Sequence, residues 1–316
     1  MRRVGELTVY ESLDELPGDF GPSAATIGVF DGVHRGHAAL LHTVLEKGAA
    51  AGAIPTVVTF DRHPLAVIDP GKEPRMLTTL PQRARLMADL GVRALVILHF
   101  DDVFRHKTPE DFVREILVER LHAIHVVVGA NFRFGHKASG TIETLHDLGA
   151  AHGFGVTIFA LEPSMSDDVV SSSLIRAHLE DGLVEEVARE LARPFRLEGV
   201  VVGGAGRGKD LGFPTANLRT PPRMLIPKLG VYCGWLLRGD RRLPAVMNVG
   251  INPTFEDRTE PVVEVHVLDF DEDLYGEVVE VEFTHRLRDE RKFESPEALV
   301  RQMHEDVRRG RELLGT

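Results

Sequence analysis

The amino-acid sequence predicts an α/β protein of two domains, a doubly wound domain on a parallel sheet followed by a smaller domain of antiparallel strands. The chain has 316 residues, about twice the usual length of one domain. In the first half, apolar β-rich runs alternate with helix-like segments, which is typical of a parallel sheet covered on both faces. After about residue 194, short runs alternate apolar and polar residues between Gly, Pro and Asp turns. That pattern favours an antiparallel sheet or a small barrel.

The first half contains the regular alternation. Strands are expected at 24–30, 54–60, 93–100, 125–130 and 155–161. Helices are expected at 36–51, 81–90, 109–121 and 141–153. Residues 171–194 predict two short helices broken near Gly182, so the domain boundary is expected between about 181 and 195. The two predicted domains are 1–185 and 186–316.

The second half contains the shorter, alternating runs. Strands are expected at 195–204, 230–237, 243–250, 261–270 and 276–287. A last helix is expected to begin after Ser295, a suitable N-cap, with Pro296 at its first position and Glu297 in its first turn.

Composition limits the partners and the compartment. The formal net charge is −11, and acidic residues outnumber basic ones in both halves, which argues against nucleic acid as a partner. The most apolar stretch, 92–100, is too short to cross a bilayer, and the first residues lack the apolar core of a secretion signal. Cys233 is the only cysteine, which favours a reducing compartment. We therefore expect a cytoplasmic protein that binds no membrane, and the sequence leaves open whether it forms a homo-oligomer.

The segment "GVFDGVHRGH", residues 28–37, is the strongest functional signal in the first half. It follows the predicted first strand and begins the first helix, where ligands bind in an open α/β sheet. Its glycines let backbone amides approach a ligand, the helix N-terminus favours an anion, and His34 and His37 can bind phosphate oxygens. The alternatives are a turn without function and a metal pair, but no acidic or Cys ligand lies at a familiar spacing. The glycines also do not fit the dinucleotide motif G-x-G-x-x-G.

Four segments resemble, in order, the FAD synthetase branch of the nucleotidyltransferase superfamily. "GVFDGVHRGH" resembles its G-x-F-D-G-x-H-x-G-H, "TFDRHP" at 59–64 its T-F-x-P-H-P, "VVVGANFRFGHKASG" at 126–140 its G-x-D-F-R-F-G, and "SSSLIR" at 171–176 its S-S-T-x-I-R. The resemblance implies a Rossmann-like nucleotidyltransferase domain with His34 and His37 as catalytic residues. The ATP and phosphate contacts that it implies are Gly28, Phe30, Asp31, Gly32, Gly36, Asn131, Ser171, Ser172, Ser173 and Arg176.

Three positions depart from the branch's motifs. Asn131 replaces an Asp, which keeps hydrogen-bonding capacity but loses a charge; Arg62 replaces a Pro and loosens its loop; Ser173 replaces a Thr and keeps the hydroxyl. Taken alone, "SSSLIR" also fits a serine-rich helix start, since Ser is a good N-cap. Beside the other three segments, we interpret it as a phosphate cradle with Arg176 as a cationic clamp.

Residues 203–209, "GGAGRGK", match the P-loop pattern G-x-x-x-x-G-K, but two features argue against a P-loop. Asp210 stands where a Ser or Thr would meet Mg²⁺, and "LGFPTAN" contains Gly and Pro where a helix should follow. The longer string "GRGKDLGFPTANL" resembles instead the G-x-x-x-L-G-F-P-T-A-N motif of riboflavin kinase. Three later segments, 246–255, 263–276 and 286–295, resemble the same family.

The second resemblance implies a six-stranded antiparallel β-barrel with a terminal helix. It implies that Thr215 and Asn217 contact Mg·ATP and that Glu264 is the catalytic base. Neutral oxygens two residues apart suit Mg²⁺, which is coordinated in part by substrate phosphates. From position alone, Glu264 is typical of a solvated strand face, and 286–295 is typical of a charged surface. The flavin and ATP contacts that the resemblance implies are Gly206, Gly208, Lys209, Gly212, Phe213, Pro214, Thr215, Asn217, Arg288 and Phe293.

Together the two resemblances imply a bifunctional enzyme of flavin synthesis. The second domain would convert riboflavin and ATP to FMN and ADP, and the first would join FMN to the AMP part of a second ATP, giving FAD and pyrophosphate. Mg²⁺ is implied as the cofactor, and flavin is substrate and product rather than redox cofactor. Two alternatives stay open: a nucleotidyltransferase for a different phosphorylated substrate, and a flavin-binding regulator without turnover.

Overall fold

The computed structural model describes residues 1–160, 170–203, 212–251 and 261–316. Contacts group the chain into two units, Met1–Pro74 with Leu80–Val170, and Arg75–Thr79 with Ser171–Thr316. The predicted domain boundary between residues 185 and 186 stays a prediction, because a grouping by contacts does not test where an independently folding domain ends.

The first unit is built on a seven-stranded sheet in the order β1-β2-β5-β4-β3-β6-β7. Its pairings are parallel, except that β1 and β2 form an antiparallel hairpin. The strands are β1 (Arg2–Val4), β2 (Leu7–Tyr10), β3 (Ser23–Ile27), β4 (Ile54–Phe60), β5 (Ala94–Leu98), β6 (Ala123–Gly129) and β7 (Gly155–Phe159).

Helices cover both faces of this sheet. The α-helices are α1 (Arg35–Ala51), α2 (Leu65–Ile68), α3 (Leu80–Asp89), α4 (Pro109–Phe112) and α5 (Ile142–His152); α4 continues as a π-helix, Val113–Val118, and 3-10 turns span Leu13–Glu15, Phe104–His106 and His136–Ala138. Neighbouring residues of β4 enter different cores: Val57 packs with Leu41 and Met87 on one face, and Val58 packs with Leu145 and other residues on the opposite face. Since successive strand residues point to opposite faces, the doubly wound α/β prediction is confirmed.

Two details of the first unit differ from the sequence analysis. The strand at 24–30 was expected to be the first of the sheet, but the hairpin β1–β2 precedes it. This hairpin escaped the pattern because its strands have only three and four residues. The single helix expected over 109–121 is an α-helical turn followed by a π-helical segment, which hydrophobic spacing does not distinguish from one continuous helix.

The second unit contains a closed antiparallel barrel in the order β10-β11-β12-β9-β8-β13. Its strands are β8 (Phe195–Val202), β9 (Ala216–Arg219), β10 (Gly230–Arg238), β11 (Arg241–Gly250), β12 (Val262–Val267) and β13 (Val278–Arg288). The predicted six-stranded barrel is therefore confirmed. Strand β9 lies inside the "PTAN" motif and was not predicted as a strand.

Three helices accompany the barrel, namely α6 (Ser172–Asp181), α7 (Val184–Leu191) and α8 (Pro296–Leu314). The break near Gly182 is confirmed, because Gly182 caps α6 in the left-handed region, with φ of 79°. The predicted start of the last helix is also confirmed, since the Ser295 Oγ accepts the Ala298 N–H at 3.3 Å. Helix α8 lies on β10 and β11, where Val307 packs with Val231 and Val246.

Candidate functional sites

The first candidate site is the loop between β3 and α1, residues 28–34. Strand β3 lies between β4 and β6, and the chain runs from β3 to β4 on one side before it returns to β6 on the other. The carboxyl ends of β3 and β6 therefore form the topological switch point, where open α/β sheets bind ligands. Asn131 lies in the exposed turn that follows β6, so the sheet brings the predicted Asn131 and the glycine-rich loop to the same edge.

This loop has an unusual backbone. Phe30, Gly32 and Val33 have φ of 51°, 83° and 41°, and this left-handed region is a genuine outlier for a β-branched residue such as Val33. A Cβ on Gly28 would lie 3.0 Å from Cε2 of Phe30, so the glycine leaves room for that ring. Strained backbone of this kind persists only where surrounding contacts hold it, and it clusters at functional sites.

His34 and His37 come together at the start of α1. The Nδ1 of His34, the N-cap residue, accepts the backbone N–H of His37 at 3.3 Å, and the two rings stack with centroids 3.7 Å apart. The edge of the Phe30 ring packs on His37 at 5.0 Å. Because Nδ1 of His34 accepts a hydrogen bond, its proton is on Nε2, which makes that nitrogen a donor. Gly36 is buried in the first turn of the same helix.

The electrostatics favour a neutral ring at His37. Burial, together with the neighbouring His34 and Arg83, holds the pKa of His37 well below its ordinary value. Among the described residues, the buried Nδ1 of His37 has no hydrogen-bond partner. The site thus presents the uncharged ring of His37 at a helix N-terminus, an arrangement that can donate hydrogen bonds to an anion.

Two buried charges accompany the loop, and one of them was missed by the sequence analysis. Asp31, a predicted contact, and Arg83, which was not predicted, are each 4% exposed. The Nη1 of Arg83 donates to the Val29 carbonyl at 2.9 Å. Nothing in the pattern of α3 distinguishes Arg83 from a surface arginine, because its burial depends on contacts with a distant segment.

The predicted phosphate cradle "SSSLIR" belongs to the second contact unit. Ser171 caps α6, with its Oγ accepting the Leu174 N–H at 3.2 Å, so the helix-start interpretation is confirmed for this residue. Ser172 and Ser173 occupy the first turn. The Nε of Arg176 donates to the Arg75 carbonyl at 2.7 Å. Their contact with phosphate stays a prediction.

The second candidate site is a row of polar residues on three neighbouring barrel strands. Glu264 on β12 lies directly opposite Asn217 on β9 and directly opposite Asn248 on β11. Residues directly opposite each other in antiparallel strands share one face, with Cβ atoms roughly 5 Å apart. Glu264 is half-buried and Asn217 is 7% exposed. Asn248 was not predicted, although a polar residue within the apolar run "VMNVG" is a signal that could have identified it.

The same face carries α8. Val231, opposite Asn248, packs against Val307 of that helix, and Arg288 lies opposite Val231 on β13. Nη2 and Nε of Arg288 bond the Asp306 carboxylate at 2.7 and 2.9 Å. The Arg288 guanidinium also lies 5.7 Å from the Phe293 ring, so the two predicted contacts are brought together.

The "LGFPTAN" segment leads into β9. Phe213 is buried, with its ring edge-on to His266 at 5.3 Å and to His304 at 4.9 Å. Gly212 has a positive φ of 84°, Pro214 is exposed, and Thr215 is half-buried two residues before Asn217. The predicted contacts Gly206, Gly208 and Lys209 lie outside the described residues.

The donor chemistry of this segment fits Mg²⁺ carried by a nucleotide. Thr215 and Asn217 offer neutral oxygens beside the Glu264 strand, and such ligands suit a hard cation that keeps waters and substrate phosphates. Within the described ranges, no cluster of three His, Cys, Asp or Glu side chains could hold a metal ion by itself.

The chain thus has two candidate sites whose side chains suit phosphate chemistry: a histidine pair at a helix N-terminus on a doubly wound sheet and a carboxylate between two amides on a closed barrel. Family comparisons give the particular chemistry. A family model of FAD synthetase matches residues 17–174, and one of riboflavin kinase matches residues 191–314. The chain belongs to the family of bifunctional riboflavin kinase/FMN adenylyltransferases.

Individual relatives match most of the chain. The bifunctional riboflavin kinase/FMN adenylyltransferase of Listeria monocytogenes is 36% identical, over 89% of this chain and 88% of that protein. The enzyme of the same name from Escherichia coli K12 is 35% identical, over 92% of each chain. A crystal structure described as a macrolide-efflux protein from Streptococcus pneumoniae superposes with a TM-score of 0.84 at 30% identity, covering 96% of this chain and 98% of that one.

These findings confirm the predicted activities. The chain is a riboflavin kinase and an FMN adenylyltransferase, with the FAD synthetase part first and the kinase part second. Across the parts of the chain that the structure describes, no helix combines the length and the apolarity that crossing a membrane requires.

Proposed function

We propose that each reaction uses the residues assembled above: adenylyl transfer at the loop 28–34 with the start of α1, and phosphorylation of riboflavin at Glu264. The observation that carries the proposal is the strand register, which sets Glu264 between Asn217 and Asn248 on the face that α8 covers. A carboxylate in that position can accept a proton while the flanking amides orient it.

In the kinase reaction, the ribityl hydroxyl oxygen attacks the γ-phosphorus of ATP while Glu264 accepts the proton of this hydroxyl. The new O–P bond forms while the bond from that phosphorus to the β,γ-bridging oxygen breaks, giving FMN and ADP. Thr215 and Asn217 would hold Mg²⁺. The bound ion would neutralise part of the phosphate charge. Arg288 and Phe293 would border the flavin. Further flavin and ATP contacts would come from Gly206, Gly208, Lys209, Gly212, Phe213 and Pro214.

In the adenylyltransferase reaction, a phosphate oxygen of FMN attacks the α-phosphorus of a second ATP, and the bond to the bridging oxygen of pyrophosphate breaks. The nucleophile is already anionic, so the reaction needs alignment and charge stabilisation rather than a base. The Nε2–H of His34 and the His37 ring would donate to phosphate oxygens, and the amides of Gly32 and Gly36 would approach them.

The wider contacts of this reaction follow from the same proposal. Asn131, at the switch point, would bind the adenosine part. The Ser171–Ser173 segment and Arg176 would bind departing pyrophosphate. The substrates and products are riboflavin, FMN, FAD, ATP, ADP and pyrophosphate, with flavin transformed rather than used for redox chemistry. We place the enzyme in the cytoplasm, as the single Cys233 favours.

The test separates the two reactions in one preparation. The purified protein is given riboflavin, ATP and Mg²⁺, or FMN, ATP and Mg²⁺, and the flavins are resolved by chromatography. Glu264→Gln should lower FMN formation by about 10²- to 10⁴-fold, the usual contribution of a positioned base, and leave FAD formation from FMN intact. His37→Ala should do the reverse.

The untouched reaction reports the part of the chain that is not altered, and thermal unfolding of each variant, followed by far-UV circular dichroism, checks that the altered part is folded. Retention of FMN formation in Glu264→Gln would remove the base from the proposal. Loss of both reactions in both folded variants would show that the two-site assignment is wrong. Flavin binding without ATP consumption in the unaltered protein would favour a regulator instead.

A further inference from the structure

Arg83 is a buried cation beside the loop 28–34 that the proposed chemistry does not use. It belongs to α3 and is 4% exposed. Its Nη1 donates at 2.9 Å to the Val29 carbonyl, which also accepts the Thr59 hydroxyl at 3.2 Å. Burying an ion costs several kcal/mol unless a partner compensates, so the position of Arg83 calls for an opposite charge.

That charge is Asp31, a residue of the loop itself and also 4% exposed. Burial lowers the pKa of Arg83, and the charge of Asp31 raises it again in part. Helix α3 thus acts on the loop in two ways, by the hydrogen bond from Arg83 to the Val29 carbonyl and by the attraction between the charges of Arg83 and Asp31. The left-handed residues Phe30 and Val33 lie in the same short segment. Contacts of this kind are what strained backbone needs in order to persist.

The groups facing His37 come from three elements. The His34 ring stacks on it, the Phe30 ring packs edge-on, and the Arg83 charge acts on it from α3. Burial is the first cause of the low pKa of His37, and the neighbouring His34 and Arg83 add to it. Removing the Arg83 charge should therefore make His37 easier to protonate. Burial disfavours a charged imidazole in this stack, so the arrangement favours a neutral ring.

We propose that Arg83 is a positioning residue for adenylyl transfer, which holds the loop through Val29 and Asp31 so that His34 and His37 face the phosphates. This inference rests on the proposed function of the two histidines. Arg83 does not touch the reacting atoms in this role. Misplacing a reacting group by about 1 Å can cost about a hundredfold in rate, so a small relaxation of the loop is enough to matter.

The experiment uses the full chain with FMN and ATP supplied, and compares Arg83→Lys, Arg83→Gln and the control Arg85→Gln. Arg85 is an exposed residue of the same helix, so its variant should match the unaltered enzyme. Arg83→Lys keeps the charge but loses the planar fork. It should lower kcat about tenfold to a hundredfold, with KM for FMN little changed and the acid limb of kcat/KM unmoved.

Arg83→Gln should lower kcat in the same way and also move the acid limb to higher pH. The sign follows from His37: activity falls as pH drops through the pKa of this ring, and loss of a neighbouring cation raises that pKa. Ionisation of FMN and ATP is common to all variants, so a difference between variants belongs to the protein. The double variant Asp31→Asn/Arg83→Gln removes both buried charges together, and it should keep the shifted limb.

Riboflavin kinase activity in each preparation reports the second unit, and thermal unfolding of each variant, followed by far-UV circular dichroism, checks that the first unit is folded. An Arg83→Gln enzyme with uniformly lower activity and an unmoved limb would reduce Arg83 to structural support and overturn the inference. Unaltered kcat in both Arg83 variants would overturn it as well. If His37→Ala still makes FAD, the proposed function itself fails, and the inference falls with it; loss of FAD in His37→Ala beside normal Arg83 variants refutes the inference alone.

Discussion

Replacing Glu282 by Gln is expected to destabilise the barrel of the second unit. The side chain of Glu282 is 2% exposed and lies on β13, between β8 and β10. One carboxylate oxygen accepts Nε and Nη2 of Arg196 at 2.9 and 2.8 Å. The other accepts Nε and Nη2 of Arg242 at 3.0 and 2.9 Å. Four charge-assisted hydrogen bonds therefore converge on one buried carboxylate.

The expected loss of stability follows from the hydrogen bonds that a glutamine side chain can still form. Its carbonyl oxygen can accept hydrogen bonds from one arginine, but its NH₂ group is a donor and faces the other guanidinium, which is also a donor. Hydrogen bonds to charged groups are worth about 1.5–3 kcal/mol each. The side chains of Arg196 and Arg242 are 41% and 51% exposed. The arginine that loses its hydrogen bonds to residue 282 can therefore bond to water, which offsets part of the lost free energy. The expected loss is about 2–4 kcal/mol.

The assay is urea unfolding followed by tryptophan fluorescence. Trp235 is the only tryptophan of the chain, and the Arg242 guanidinium lies 4.2 Å from its ring, so the signal reports this unit. With a slope of about 2 kcal/mol per molar urea, the midpoint should fall by about 1–2 M. The control is Glu272→Gln, since Glu272 forms exposed ion pairs with Arg238 and Arg241, and its midpoint should not move. Equal midpoints for the two variants would refute the reasoning.

Three further changes test the close contacts of the two units. Gly28→Ala should lower FAD formation several-fold and spare FMN formation, because its Cβ would lie 3.0 Å from the Phe30 ring; equal flavin yields would contradict this. Gly182→Ala should destabilise the second unit by about 1–3 kcal/mol in the fluorescence assay, because φ is 79° and its Cβ would lie 2.6 Å from Nε of Arg286. Burial raises the pKa of Cys233 to about 11, so a thiol reagent at pH 8 should label it only after urea unfolding, and rapid labelling of folded protein would show that it is accessible.

Most of the fold could be predicted because its strands carry their own pattern. Residues 54–60 are apolar and β-branched, and β4 has those same bounds. The hairpin β1–β2 could not be found in this way, since Arg2 and Arg3 give its first strand no apolar alternation. Strand β9 was missed for another reason: its four residues become a strand only through pairing with β8 and β12, which no local signal records.

The same limit separates the site residues that were predicted from those that were not. His34, His37 and Glu264 lie in local motifs, so their chemistry is visible in the sequence. Arg83 becomes distinctive only when α3 packs against the loop and its Nη1 reaches the Val29 carbonyl. Asn248 becomes distinctive only when β11 pairs with β12 in one register. Both are consequences of long-range contacts.

One candidate site can accept a proton and the other can donate hydrogen bonds, and this difference matches the two reactions. A carboxylate set between two amides, as Glu264 is, can accept a proton, and the ribityl hydroxyl must lose one as it attacks. His34, whose Nδ1 already accepts the His37 N–H, can only donate from Nε2 while this cap persists. The FMN phosphate is already an anion, so its reaction needs hydrogen-bond donors and does not need a base. The side chains of each unit therefore suit the reaction proposed for it and would serve the other poorly.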